Sequence, residues 1–186
     1  MSKYIKVYED HFDPQVLHEI LELVYKERSA ENADFVIQKK DIPSQWLNKF
    51  NYIEEKALEL AKTYLRHTYN KLPISALGVN HIGFKTDPEG AFTELHYDWE
   101  MNRIGNDILM KPMVALVYLS DVEEGGDCFF PLEDVTVKPK KGRIVIFPCC
   151  FAFPHVTIPV AKGKKELMRI TFGMDLDYYK SEKIEF

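Results

Sequence analysis

Apolar positions along the chain change period near residue 70, from roughly every third or fourth position to every second. In the first part, Val16, Leu17, Ile20, Leu21 and Val24 form one helical stripe. Asp13-Pro14 opens it, because Asp accepts hydrogen bonds from the free N–H groups of a first turn and Pro has none to lose there. A second helix is predicted from about Gln45 to His67, with Trp46, Phe50, Ile53, Ala57, Leu60, Ala61 and Tyr64 on its buried side. His18 lies off the first stripe and reads as solvated, while His67 falls in the last turn, where a cation suits the helix dipole. Tyr4 to Tyr8 alternates and reads as a short strand, and the polar stretch 29–45, with Pro43, reads as a loop over a binding mouth.

Asn70 to Pro73 breaks the helical pattern, and strands follow at close spacing: Ala76–Lys85, Ala91–Glu100, Met110–Ser120, Asp127–Phe130, Asp134–Val137, Arg143–Pro148 and Lys165–Leu176. Turn signals separate them at Asp87-Pro-Glu-Gly90, Glu124-Gly-Gly126, Pro139-Lys-Lys-Gly142 and Lys162-Gly163. Close strands without intervening helices predict an antiparallel jelly roll, sandwich or barrel. Met113 to Leu119 is apolar on both faces, as suits a central strand covered by helices on one side. No linker divides the halves, so the expectation is one domain over 1–186. Within it, 1–75 is helical support, 76–176 an all-β core with the helices packed on its major sheet, and 177–186 a tail.

A length of 186 residues is enough for a substantial core, and 46% hydrophobic with 13% aromatic residues excludes extended disorder. A net charge of −5 offers no basic footprint, so nucleic acid is not the expected partner. No signal core or run of transmembrane length is present, so neither a membrane nor export is expected. Three cysteines, Cys128 and the adjacent Cys149 and Cys150, do not make a disulfide framework and fit a reducing cytoplasm.

The candidate chemistry centres on His96-Tyr97-Asp98. In an extended strand His96 and Asp98 point the same way, with Leu95, Tyr97 and Trp99 on the other face. A second histidine from elsewhere would complete a set of two imidazoles and a carboxylate, which leaves open positions on a non-haem Fe(II). His155 is the candidate and His81 its rival, with His155 preferred for the residues that follow it. Ten residues after His155, Lys165 shares a strand face with Leu167, Arg169 and Thr171. A cation facing into a barrel needs an anion, and a carboxylate-bearing co-substrate would be one. Alternatively, Lys165 continues the exposed Lys162-Gly-Lys-Lys run.

Taken together, four stretches resemble the Fe(II)- and 2-oxoglutarate-dependent oxygenases, most closely the prolyl 4-hydroxylase-like group and its short microbial and phage-type members. They are Gly90 to Asp98, Val117 to Phe129, Val137 to Pro148, and Pro154-His155 through Pro159-Val-Ala-Lys-Gly-Lys-Lys165, within a resemblance covering about 76–176. The resemblance implies a double-stranded β-helix (jelly roll) with iron on His96, Asp98 and His155. It implies that Lys165 pairs with the far carboxylate of 2-oxoglutarate, that Tyr118 adds a hydroxyl hydrogen bond, and that Arg169 is a second candidate for the anion. Gly125-Gly126 would bend the backbone beside the co-substrate, with Cys128 lining the pocket where relatives often have Thr. Asp87 stands where relatives often have a tyrosine, so that tyrosine's hydrogen bond is not carried over.

The implied reaction takes Fe(II), 2-oxoglutarate and O2, with ascorbate as an admissible accessory, releases succinate and CO2, and hydroxylates a substrate C–H. A prolyl or other amino-acid residue in a peptide or protein is the first substrate expectation, and small molecules remain open. By position alone, Trp99, Glu100 and Arg103 would border the substrate mouth. Two other classes stand beside this one. A non-catalytic jelly-roll binding module with a structural or empty metal site would show no keto-acid dependence. A Zn hydrolase would use the same ligand types but leaves Lys165 without a purpose and has no evident general base.

Overall fold

The computed structural model describes residues 2–27, 34–37, 42–69, 77–98, 101–104 and 107–175. In chain order the elements are β1 (Lys6–Tyr8), α1 (Pro14–Glu27), β2 (Asp34–Ile37), α2 (Leu47–Thr68), β3 (Leu77–Asp87), β4 (Thr93–His96) and β5 (Met101–Ile104). They continue with β6 (Asp107–Tyr118), β7 (Glu124–Gly125), β8 (Cys128–Phe130), β9 (Val135–Val137), β10 (Ile144–Pro148), β11 (His155–Thr157), β12 (Val160–Lys162) and β13 (Lys165–Asp175).

Both helices form where the apolar stripes place them. Asp13 caps α1, its Oδ1 accepting from the Gln15 N–H at 2.8 Å, and the helix buries Leu17, Ile20, Leu23 and Val24. A single 3-10 turn over Ser44–Trp46 leads into α2, which buries Phe50, Ile53, Ala57, Leu60, Ala61, Tyr64 and Leu65. Tyr64 ties this helix to the first strand region by donating its hydroxyl to the Tyr4 carbonyl at 2.8 Å.

The protein is mostly β-sheet with two helices, and every strand pair is antiparallel. The major sheet has seven strands in the order β1-β10-β6-β13-β3-β2, with β5 also paired to β6. A four-stranded sheet runs β4-β11-β8-β9, and β12 pairs with β7. On β6, side chains alternate between two cores, as the sequence of this strand suggests. Met113, Ala115 and Val117, with Leu119 just past the strand, join the helices, while Val114, Leu116 and Tyr118 join a second core with Cys128, Phe130, Val145, Phe147 and Leu167. Burying one such large apolar side chain is worth about 1.5–3 kcal/mol, so each face of the strand contributes separately to stability.

Three differences from the sequence reading, and one irregularity inside a predicted strand, have local causes. The stretch 29–45 is not wholly a loop: Asp34–Ile37 adds β2 to the edge of the sheet beside β3, through backbone pairing that does not require an alternating pattern. The strand expected over Ala91–Glu100 ends at His96, so Asp98 lies just beyond it, and a separate strand begins at Met101. Pro112 sits inside β6 although proline has no N–H for a ladder. There the register slips, with Phe172 opposite Met113 but Met174 opposite Met110, a bulge that absorbs the proline. The short β7, β11 and β12 are not among the predicted strands: Glu124-Gly125 falls within a turn signal, and β11 and β12 flank Pro159. Of the expected tail, residues 177–186 lie outside the described residues.

Candidate metal and anion site

The site is built by cross-strand register. In the smaller sheet β11 pairs with β4 so that His155 stands directly opposite His96, and the two rings lie 4.3 Å apart at 56°. Opposed residues on neighbouring strands are the closest side-chain pairs a sheet offers. Asp98, just past the end of β4, turns its carboxylate between them, Oδ1 at 3.9 Å from His96 Nε2 and Oδ2 at 3.6 Å from His155 Nε2. One ligand-type atom from each of the three lies within 4.8 Å of the others.

Both imidazoles are oriented. His96 Nδ1 lies 2.8 Å from the Glu94 carbonyl, and His155 Nδ1 lies 3.3 Å from the Phe153 carbonyl. A carbonyl can only accept, so in the neutral rings Nδ1 carries the hydrogen and Nε2 keeps its lone pair toward Asp98. Phe147 and Phe130 pack on His155 at centroid distances of 4.8 and 5.3 Å and hold the ring in place. Burial lowers the His155 pKa, opposed by the Asp98 carboxylate, so burial favours the neutral form that ligates metals. Two neutral imidazoles and one carboxylate with open space in front of them fit a divalent metal of the non-haem iron type.

That space is a cavity of about 230 Å³ lined by the three residues together with Lys85, Thr93, Cys128, Thr157, Lys165 and Arg169, and walled by Phe84, Leu116 and Leu167. Lys165 is only 2% exposed and is therefore not part of the surface run beside it. Its Nζ lies 2.6 Å from Asp87 Oδ2 and donates to Thr157 Oγ1 at 3.3 Å. Burial pulls its pKa below the ordinary lysine value, and the Asp87 carboxylate pushes back. Asp87 Oδ1 is also 3.2 Å from Lys85 Nζ, which donates to Thr93 Oγ1 at 2.6 Å. Arg169 lies at the rim, half-exposed, with Nη1 3.8 Å from Asp98 Oδ1.

The remaining sequence candidates distribute as follows. Cys128 lines the cavity, and burial pushes its thiol up to about 12. Tyr118 is buried in the second core behind the cavity and is not among the lining residues; burial holds its pKa well above the usual value. His81 is outside the cluster of ligand-type atoms, with Nε2 3.0 Å from the Thr171 hydroxyl. It lines an adjoining hollow of about 190 Å³ that shares Asp98 and Arg169 with the cavity. Trp99 and Glu100 lie outside the described residues, and Arg103 is described only as backbone in β5. Gly125 and Gly126 adopt φ of 77° and 72°, a region that favours glycine. A Cβ on Gly125 would come within 2.2 Å of the Pro159 carbonyl oxygen, and one on Gly126 would touch the Lys165 stem at 3.6 Å.

Lys85, Thr93 and Thr157 escaped the sequence reading, and Asp87 was noted there only as a departure from relatives. The signal was present for two of them. Lys85 and Asp87 alternate along β3 with Phe84 and Thr86, the same period of two that singled out Lys165. What was missing was the register that sets Lys165 against Asp87.

No protein-family model matches the chain. In fold, however, it is similar to several solved structures. The viral collagen prolyl hydroxylase of Paramecium bursaria Chlorella virus-1, solved as a 2-oxoglutarate complex, superposes with a TM-score of 0.71 at 17% identity, over 93% of this chain and 97% of that one. A prolyl 4-hydroxylase of Pseudomonas putida gives 0.63 at 16% identity, over 94% and 93%. HygX of Streptomyces hygroscopicus, solved with iron bound, gives 0.64 at 13% identity, over 92% and 82%. In sequence, a stretch of 76 residues is 34% identical to human prolyl 3-hydroxylase 2, and the match takes in 38% of this chain and 11% of that protein's length. The resemblance read from the sequence thus holds at the level of the fold.

Proposed function

We propose that the protein is an Fe(II)- and 2-oxoglutarate-dependent dioxygenase that hydroxylates a C–H bond, with the core forming a double-stranded β-helix. The observation that carries this reading is the convergence, on one cavity, of an oriented two-histidine, one-carboxylate cluster and a buried lysine. The likeness in fold to prolyl hydroxylases, among them one solved with 2-oxoglutarate, supports it. In this reading residues 1–186 act as one domain, with 1–75 as helical support, 76–176 as the catalytic core and 177–186 as a tail.

His96, Asp98 and His155 would hold the iron, which when bound supplies the redox chemistry that couples decarboxylation of 2-oxoglutarate, to succinate and CO2, with hydroxylation by O2. The chain's own part is positioning. Asp98 balances the metal charge, and the two backbone carbonyls keep both imidazoles in the ligating tautomer. Lys165, steadied by Thr157, offers a cation to the distal carboxylate of the co-substrate. Leu116 and Leu167 keep that carboxylate in a low-dielectric surround, where the charge pairing is stronger than in water. Arg169 stands between the cavity and the adjoining hollow and is placed to meet an incoming substrate.

A prolyl or other amino-acid residue in a peptide or protein is the substrate this reading favours, because the structures of similar fold include prolyl hydroxylases. Three free thiols favour a cytoplasmic setting, and among the described residues no helix is long and apolar enough to cross a membrane. A Zn hydrolase is disfavoured because it gives the buried Lys165 no purpose, and among the described residues the lining holds no carboxylate besides Asp98.

The test is an anaerobic titration of metal-free protein with Fe(II) and then 2-oxoglutarate, followed in the visible for the weak charge-transfer band of a chelated keto acid. The band is expected with the native chain and absent in His96→Ala. Iron binding without a band would reject the keto-acid assignment. No metal binding at all would favour a non-catalytic binding module.

A further inference from the structure

Within the proposed function, on which this inference rests, Lys165 alone is an incomplete anion anchor, because its charge is already met. Its Nζ sits 2.6 Å from Asp87 Oδ2, and both side chains are buried. That pair is close to neutral toward a ligand. A second ammonium shares the same carboxylate: Lys85 Nζ lies 3.2 Å from Asp87 Oδ1, and its shorter contact, 2.6 Å, is to the uncharged Thr93 hydroxyl. Two lysines on one aspartate leave one positive charge over, facing a cavity that both lysines line.

We propose that the anion anchor of this cavity is a two-lysine site bridged by Asp87, in which Lys85 supplies the unbalanced charge that holds the distal carboxylate of a C5 dicarboxylate. The register puts Lys85 in reach. Along the β3–β13 pair, Arg169 stands opposite Gly83, Leu167 opposite Lys85, and Lys165 opposite Asp87, all on the cavity face. Arg169 lies beside Asp98, so this ladder starts at the metal cluster. The backbones step away from the cluster, but the side chains converge: Lys85 Nζ and Lys165 Nζ meet the two oxygens of Asp87 and reach Thr93 and Thr157, which are register partners on β4 and β11. A carboxylate beside Thr93 and Thr157 would therefore meet both ammonium groups together, Lys85 being the one that Asp87 holds less closely. Asp87 keeps the two ammonium groups together in a buried place where their repulsion would otherwise part them. Thr93 and Thr157 fix one lysine each. Lys85, at 28% side-chain exposure, stays at the open side of the trio, where an incoming anion meets it first.

The experiment is calorimetric titration of anaerobic Fe(II)-loaded protein with two probes, 2-oxoglutarate and pyruvate. Pyruvate offers the same keto-acid chelate without the distal carboxylate. Lys85→Met keeps the aliphatic stem and removes the charge. It is expected to weaken 2-oxoglutarate binding about tenfold or more, the usual scale for a lost charge-assisted hydrogen bond. Fe(II) and pyruvate affinities should stay as in the native chain, and Lys85→Arg should recover most of the loss. Native affinity of Lys85→Met for 2-oxoglutarate would overturn the proposal and leave Lys85 as a mere partner of Asp87 and Thr93. An equal loss for both probes would also overturn it, since the effect would then not concern the distal carboxylate. If the native chain binds Fe(II) but neither probe, the keto-acid reading of the site falls, and this inference with it.

Discussion

The two faces of β3, β6 and β13 carry one backbone and opposite demands. Toward the helices they present Ile82, Phe84, Ala115, Val117, Met168, Ile170 and Phe172, all buried in one apolar cluster with α1 and α2. Toward the smaller sheet the alternate positions include Lys85, Lys165 and Arg169 around a cavity, with Asp87 behind the two lysines. The helix face is stabilising wherever it is touched, because every buried methylene there was taken from water. The cavity face holds charges whose burial costs more than simple packing would, and it keeps them only because each meets a partner. Adjacent residues of one strand therefore divide between packing the apolar core and facing a polar cavity.

Substitutions on either face can test that division. The largest effect on stability is expected from Phe172→Ala, on the helix face. A fully buried aromatic truncated to alanine costs about 3–5 kcal/mol, read as a lower denaturant midpoint, and Fe(II) affinity of the folded fraction should be unchanged. A loss of iron binding in folded Phe172→Ala would mean that the two faces are not separable. On the cavity face, Lys165→Met should cost less, about 2–3 kcal/mol, because Asp87 loses a buried partner yet retains Lys85 at 3.2 Å. The same variant should weaken 2-oxoglutarate binding while leaving the metal site intact, so a calorimetric titration alongside the unfolding curve separates the two roles. The smallest effect should come from Tyr118→Phe. The ring stays in the second core and the hydroxyl does not line the cavity, so 2-oxoglutarate affinity should remain within about twofold and stability within about 1 kcal/mol. A large loss of co-substrate affinity there would place the Tyr118 hydroxyl in contact with the ligand after all.

Much of this molecule was legible from residue order alone. The helical stripes located α1 and α2, and the two-sided apolar run in β6 announced a central strand between two cores, because periodicity and burial are local properties of a chain. The pairing of His96 with Asp98 was visible for the same reason, since two residues apart is near in any fold. Three things depended on tertiary structure. The direct opposition of His155 to His96, two residues that the resemblance had already paired, came from the β4–β11 register, which no local pattern encodes. The placement of Asp98 beyond the end of its strand came from how the chain turns there, not from strand alternation. Lys85 and Asp87 looked like ordinary polar positions until β13 was laid against β3 and brought Lys165 to the same carboxylate. Sequence determines which side chains share a face of one strand, whereas only the packed sheet decides which strand they meet, and a binding site is made of such meetings.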